Sequence, residues 1–176
     1  RIRETAAEAA RSAFLELGLQ NATAVEKLDD GHTIRVALRV VAGKVTFDFT
    51  GTDAVHPGNL NANQAIVYSC LLYVLRLLCR QPVALNEGLL ENVTVILPEC
   101  FLNPAFPDDP QQCPAVVGGN TEVSQRLADT LLKALGLAAC SQGTMNNFLF
   151  GNRRFGYYET IGGGAGAGPG FHGRSA

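Results

Sequence analysis

The sequence TIRVALRVVAGKVTFDF, residues 33–49, carries the clearest structural pattern in this chain. Apolar side chains occupy every second position across residues 34–40 and again across residues 45–49. Alternation of this kind is typical of strands that bury one face. Because Ala42-Gly43 separates the two runs, we expect a tight turn there. The stretch therefore predicts two antiparallel strands that share one core.

The segment before this stretch extends the sheet. Residues 23–28 are predicted to form the first strand, and Asp29-Asp30-Gly31 is a hairpin signal. We therefore expect a three-stranded antiparallel meander. Apolar residues at helical spacing over residues 2–17, followed by Gly18, predict a helix in front of it.

Two more helices are expected. Residues 65–78 are apolar nearly all the way round, which predicts a central helix buried on several sides. Asn61 with Gln64 has the spacing of a capping box at its start. A second, amphipathic helix follows Gly118-Gly119-Asn120, and a strand lies at residues 93–97. The expected fold is mixed α/β of the α+β type: an antiparallel meander on a buried helix, with the second helix and further strands. The pattern leaves the strand order open.

The composition argues against several classes of function. The 176 residues suit a single domain, residues 1–176, and the net charge of −2 lacks the basic character of a nucleic-acid-binding protein. The longest apolar run is too short to span a membrane. Five cysteines without a C-x-x-C motif favour reduced thiols in the cytoplasm. Only 17% of residues are charged, so we expect a fragment of a larger, oligomeric protein whose neighbours cover part of its surface.

The glycine-dense segment at residues 143–170 is the first candidate for a functional site. Strand alternation places Glu159 on the same face as Phe155 and Tyr157, ahead of a glycine-rich loop. A carboxylate among aromatic rings would have a raised pKa suited to acid/base chemistry. The alternative interpretation is a buried hairpin in which backbone amides hold Glu159.

The start of the second helix is the other candidate. Gly118-Gly119-Asn120 would leave N–H groups free to bind an anion, with Glu122, Gln125 and Arg126 in the first turns. A plain helix cap with ordinary polar neighbours remains the alternative. The histidines are scattered along the sequence, which predicts no metal site in this chain.

Five blocks of sequence together resemble the hydantoinase B/5-oxoprolinase family, which includes N-methylhydantoinase B-like subunits and the C-terminal half of ATP-dependent 5-oxoprolinase. They stand in family order and cover nearly the whole chain from Asp48 onward: residues 47–52 with 57–61, 85–88 with 102–104, 118–126, 143–147 and 157–164.

The resemblance implies part of an ATP-dependent hydrolase that opens cyclic amides such as 5-oxoproline or hydantoins. A hydantoinase A-like partner half, fused or separate, would bind ATP with Mg²⁺ and phosphorylate the amide oxygen. The B half would then handle the phosphorylated intermediate. The family's metal-binding N-terminal section lies outside the resemblance, so we expect a divalent metal there, and no activity from this chain alone. Family relatives also include carboxylase subunits that act on acetone or acetophenone.

The family's chemistry suggests roles for the two candidate regions, provided that they converge on one pocket. Glu122 or Glu159 would be the general base. Donors that would bind substrate are Asn120, Gln125, Arg126, Thr144, Asn146, Asn147, Gly162, Gly163 and Gly164. Two alternatives remain open: a structural and interface module without chemistry of its own, or part of a ketone carboxylase subunit.

Overall fold

The computed structural model describes residues 1–176 and confirms the mixed α/β fold. It contains three α-helices and six strands. The helices are α1 (Ile2–Glu16), α2 (Gln64–Leu78) and α3 (Ser124–Ala134); the strands are β1 (Asn21–Lys27), β2 (Thr33–Val41), β3 (Lys44–Asp48), β4 (Val93–Ile96), β5 (Asn146–Gly151) and β6 (Gly156–Ile161). No helix combines the length and the apolar character needed to cross a membrane.

The main sheet has the strand order β1-β2-β3-β4. Its first three strands form the predicted antiparallel meander, with Leu38 opposite Phe47 and Val40 opposite Val45. Strand β4 pairs parallel to β3 because α2 carries the chain back across the sheet before β4 begins. The alternating sequence predicted the meander but not this parallel edge.

The core lies on one face of the sheet, under the helices. Ile34, Val36 and Leu38 of β2 are almost completely buried, whereas the intervening Arg35 and Arg39 are exposed. Helices α1 and α3 contact the buried face of the sheet, and α2 packs on both of them. The molecule therefore has a helical layer over one face of the main sheet, and the opposite face is open.

Helix α2 differs from its prediction in two respects. Its N-cap is Asn63, whose side chain accepts a hydrogen bond from the N–H of Ile66 at 3.1 Å, so the capping box at Asn61 is wrong. It is also buried on one side only, because Tyr73 and Leu77 are 54% and 48% exposed. An apolar composition did not reveal which face would be left uncovered.

Asn61 has a different task. It is completely buried, and its Nδ2 donates to the carbonyls of His56 at 2.9 Å, Gly58 at 3.2 Å and Ala115 at 3.0 Å. Its Oδ1 accepts from the N–H of His56 at 2.7 Å. One side chain thus fastens the loop after β3 to the segment that leads into α3.

Strands β5 and β6 form a separate two-stranded antiparallel sheet, which we call the arm (residues 146–161). Every residue of both strands is exposed. The alternative of a buried hairpin is therefore wrong. Alternation along the strands is as predicted, since Tyr157 and Glu159 share a face and their side chains are hydrogen-bonded.

Candidate functional site

The base of the arm and helix α3 enclose a cavity of about 260 Å³, which we call the polar cleft. The N–H of Met145 donates to the carbonyl of Thr121 at 3.2 Å, which fixes the arm to the start of α3. Of the residues expected to bind substrate, Gln125, Thr144 and Gly162–Gly164 line this cleft. Two distant parts of the sequence do converge on one pocket, and the binding role of these residues stays a prediction.

The wall formed by Gly162–Gly164 is rich in hydrogen-bond donors. None of these three N–H groups has a hydrogen-bond partner within the chain. A Cβ on Gly163 would lie 2.9 Å from the side chain of Gln142, and one on Gly164 only 2.5 Å from the carbonyl of Arg174. Close packing thus requires glycine at positions 163 and 164, whereas a Cβ on Gly162 would meet only Ala176 at 3.9 Å. Successive free amides of this kind suit an anion or a developing oxyanion.

Side chains that carry amide groups, Gln125 and Gln142, also line the cleft. In the orientation that satisfies both neighbours, the Gln125 amide donates to the carbonyl of Gln142 at 3.0 Å and accepts from the N–H of Met145 at 3.2 Å. Gln142 in turn donates from Nε2 to the carbonyl of Thr144 at 3.3 Å. The Thr144 hydroxyl makes no hydrogen bond within the chain, so it is available to a ligand.

The start of α3 does not present the free amides that its glycines suggested. Gly118 donates its N–H to the carbonyl of Asn59 at 2.8 Å, and Gly119 to that of Val116 at 3.0 Å. A Cβ on Gly119 would lie 2.4 Å from the carbonyl of Asn61, so glycine is needed there for close approach. The turn at Gly119–Val123 is π-helical, a distortion that is frequent at functional sites. The amides of Gly118 and Gly119 are therefore not available to an anion, and the binding role of Asn120 stays a prediction.

Neither predicted catalytic glutamate lines the polar cleft. Glu122 is exposed and has no side-chain hydrogen bond, and Asn120 beside it is also exposed. Glu159 is exposed on the arm, where it accepts a hydrogen bond from the Tyr157 hydroxyl. The burial among aromatic rings that the acid/base expectation for Glu159 required is absent. The hydrogen bond between the Tyr157 hydroxyl and Glu159 raises the pKa of Tyr157.

The two asparagines of the arm also lie outside the cleft lining. Asn147 accepts hydrogen bonds from the hydroxyls of Tyr158 at 3.0 Å and Thr160 at 2.9 Å, so it ties the two strands together. Asn146 pairs with Ile161 at the first position of the ladder and is exposed. The Asn147 side chain therefore has a structural role, and the substrate-binding role of both asparagines stays a prediction.

Asp129 is a buried carboxyl group that the sequence analysis missed. It is 3% exposed, and its Oδ1 accepts from the N–H and the hydroxyl of Ser141 at 3.2 and 3.4 Å. Its Oδ2 has no partner, and burial raises the pKa of the group. Arg126, one helical turn earlier, partly offsets this effect by electrostatic attraction. The Arg126 guanidinium packs directly against Gly143, and its buried Nε has no hydrogen-bond partner.

Asp129 lies next to the polar cleft. Two adjoining cavities of about 370 and 430 Å³ both contact Asp129 and Ser141, and Ser141 also lines the cleft. Asp129 is not part of the apolar stripe that includes Leu127 and Leu131, so helical periodicity does not account for its burial. It is buried because the segment after α3 turns back and covers it. No local sequence pattern predicts that the segment after α3 folds back over the helix.

The histidines are not as scattered in space as in sequence. The rings of His32 and His56 are 4.3 Å apart, and Asp30 Oδ2 lies 3.0 Å from His32 Nδ1 and 2.5 Å from His56 Nε2. The ligand atoms of these three side chains have spacings that a metal ion requires. However, the N–H of Gly58 donates to His56 Nδ1 at 2.8 Å, so the ring proton is on Nε2. His56 therefore donates to Asp30 and offers no lone pair to a metal there.

The hydantoinase B/oxoprolinase family model matches residues 1–176. The chain belongs to this family. It is 46% identical to 5-oxoprolinase 1 of Arabidopsis thaliana over 151 residues, which are 84% of this chain and 12% of that protein. With 5-oxoprolinase of Dictyostelium discoideum it shares 43% identity over 161 residues, 90% of this chain and 12% of that protein. The chain therefore spans about one eighth of the length of these relatives.

The fold also matches a solved structure, the ATP-dependent caprolactamase from Pseudomonas jessenii, with a TM-score of 0.75. The match covers 99% of this chain and 33% of that one, at 21% identity. At this identity the similarity shows a shared fold.

Proposed function

We propose that this chain is part of an ATP-dependent hydrolase that opens cyclic amides, and that it belongs to the half that handles the phosphorylated intermediate. A hydantoinase A-like ATPase half, fused or separate, would bind ATP with Mg²⁺ and activate the substrate. Relatives named as 5-oxoprolinases and a fold neighbour named as an ATP-dependent caprolactamase support this class of reaction. Five free, unpaired cysteines suit a reducing compartment, and we place the protein in the cytoplasm.

The chemistry requires a donor-rich site. An amide carbonyl is a poor electrophile, and phosphorylation of its oxygen provides a leaving group. The half that receives this anionic intermediate must bind it and stabilise the charge that develops when water attacks. Neutral backbone amides do this without the desolvation cost of a buried cation.

One observation carries the proposal: Gly162–Gly164, whose three amides are unpaired, line the same polar cleft as Gln125 and Thr144. The arrangement offers donors for phosphate and carbonyl oxygens. Its lining contains no carboxylate and no histidine, so a base that activates water would have to reach the cleft from outside this lining.

ADP release by the reconstituted enzyme tests the reaction class. We expect 5-oxoproline, hydantoin or caprolactam to stimulate ADP release and to yield a ring-opened product in proportion. Stimulation by acetone or acetophenone only in the presence of bicarbonate would instead identify a ketone carboxylase. If none of the cyclic amides stimulates ADP release by the assembled, folded enzyme, the proposed function is wrong.

A second candidate function is a structural and interface module, because both predicted catalytic glutamates lie outside the cleft and the arm is fully exposed. Replacing Glu122 or Glu159 by Gln in the full enzyme separates the two roles. Ring opening at the wild-type rate in an assembled complex would remove both residues from catalysis. A fall in turnover without loss of assembly would place that glutamate in the reaction.

A further inference from the structure

A mainly apolar cavity adjoins the polar cleft. It has a volume of about 430 Å³, and its lining includes Leu77 of α2, Leu132 of α3 and Phe171. We call it the apolar cavity. Ser141 and Gly164 line both this cavity and the polar cleft, so the two spaces meet at these residues. Apolar walls around a few polar groups, at this volume, are typical of sites for small molecules.

The hydroxyl of Ser141 is directed by Asp129. Within the chain its hydrogen-bond acceptor is Asp129 Oδ1 at 3.4 Å, and the same oxygen accepts the N–H of Ser141 at 3.2 Å. Asp129 is buried, whereas Ser141 is exposed. A hydroxyl that gives its proton to a carboxyl oxygen keeps its lone pairs for another donor. The junction of the two spaces therefore offers an acceptor from Ser141 and a free donor from the N–H of Gly164.

A cyclic amide has the complementary pair of groups. The ring holds the amide in the cis form, so the carbonyl oxygen and the N–H lie along one edge of the ring. The oxygen accepts hydrogen bonds, as the free N–H of Gly164 requires, and the N–H donates one, as the Ser141 hydroxyl requires. The ring carbons suit the apolar cavity.

We propose that the hydroxyl of Ser141 binds the N–H of the cyclic amide, and that Asp129 is a positioning residue that holds this hydroxyl in the required direction. The ring lies in the apolar cavity, with its oxygen toward Gly162–Gly164 in the polar cleft. This inference rests on the proposed function and adds to it the recognition of the ring nitrogen.

Ring opening by the full enzyme tests the contact, with 5-oxoproline, hydantoin or caprolactam as substrate, whichever the wild type opens. Ser141→Ala removes the acceptor and should lower kcat/KM roughly tenfold, the effect of one hydrogen bond. The N-methyl analogue of the same ring lacks the N–H, so its inhibition constant should not rise in Ser141→Ala. The preference for the N–H ring over the N-methyl ring should therefore fall roughly tenfold. A general structural defect would weaken both ligands alike.

Two changes at Asp129 test the positioning role. Asn keeps an oxygen for the N–H and hydroxyl of Ser141, whereas Leu, of similar size, offers no acceptor. Asp129→Leu should lose the preference for the N–H ring as Ser141→Ala does, and Asp129→Asn should recover part of it. Ser12→Ala is the matched control and should keep the wild-type values. The Ser12 hydroxyl also lies 3.4 Å from a carboxylate, that of Glu8, but Ser12 lines neither the cleft nor the apolar cavity.

Three results would overturn the inference. They are a Ser141→Ala enzyme with the wild-type kcat/KM, one with the wild-type preference for the N–H ring, and an Asp129→Asn enzyme no better than Asp129→Leu. Each is measured against a wild type that opens the ring, so the inference can fail while the proposed function stands. If the wild type opens no cyclic amide, the proposed function fails and this inference fails with it.

Discussion

The change Asn61→Ala should destabilise the protein more than the same change at Asn63. Asn61 is buried and its amide group serves four backbone partners, whereas Asn63 caps α2 through one hydrogen bond. A sequence pattern that favoured Asn61 as the cap would give the opposite order.

The expected loss in the free energy of unfolding depends on which backbone groups each substitution leaves without a hydrogen bond. Losing Asn61 strands the N–H and carbonyl of His56, which are partly shielded, at about 1 to 1.5 kcal/mol each. The carbonyls of Gly58 and Ala115 belong to exposed residues and regain water, so they add less. The total is about 3 kcal/mol, against about 1 kcal/mol for removing the Asn63 cap.

Urea unfolding followed by circular dichroism measures both variants against wild type. The difference between them, about 2 kcal/mol, is well above the error of a comparison of midpoints at constant m-value. Equal losses, or a larger loss for Asn63→Ala, would refute the assignment of Asn61 as the fastening between the loop after β3 and the start of α3.

Two further changes probe the site. Gly119→Ala should lower the free energy of unfolding, measured by urea titration, by about 1 to 3 kcal/mol, because its Cβ would overlap the carbonyl of Asn61. Alanine at the exposed Gly156 meets no atom within 4 Å, so Gly156→Ala is the matched control and should cost less. Burial raises the pKa of Asp129, so the folded state binds the proton more tightly than the unfolded state does. The contribution of Asp129 to stability therefore falls as pH rises from the unfolded-state pKa of about 3.9 through the raised folded-state pKa. Asp129→Asn cannot ionise and should therefore gain stability relative to wild type across that interval, and a difference that is independent of pH would contradict the burial argument.

Local sequence patterns predicted the antiparallel part of the sheet because the alternation of neighbouring residues determines each strand and its buried face. Alternation in residues 33–49 determines both strands, their turn and their buried face, and the structure agrees at each point. The parallel pairing of β4 depends on where α2 returns the chain, which no short pattern contains. The spacing of Asn61 and Gln64 likewise favoured Asn61 as the cap, but tertiary contacts to His56, Gly58 and Ala115 occupy its side chain, and Asn63 caps the helix instead.

The candidate site was partly predictable for a related reason. The three consecutive glycines at residues 162–164 indicated a backbone that turns sharply or packs closely, and in the structure they line one cleft with Thr144 and Gln125. The glycines at Gly118 and Gly119 looked similar in sequence but serve close packing, with their amides already bonded. Asp129 escaped notice because its burial arises from a later segment folding over α3.

The coupling between ADP release and ring opening in Thr144→Ala tests the central claim most directly, with Thr94→Ala on the exposed edge strand β4 as the matched control. If the polar cleft receives the phosphorylated intermediate, Thr144→Ala should lower ring opening by roughly tenfold or more while ADP release falls less, so that ADP exceeds ring-opened product. Thr94→Ala should keep the wild-type ratio. A Thr144→Ala enzyme that opens the ring at the wild-type rate and in the wild-type ratio to ADP would contradict the assignment of this cleft.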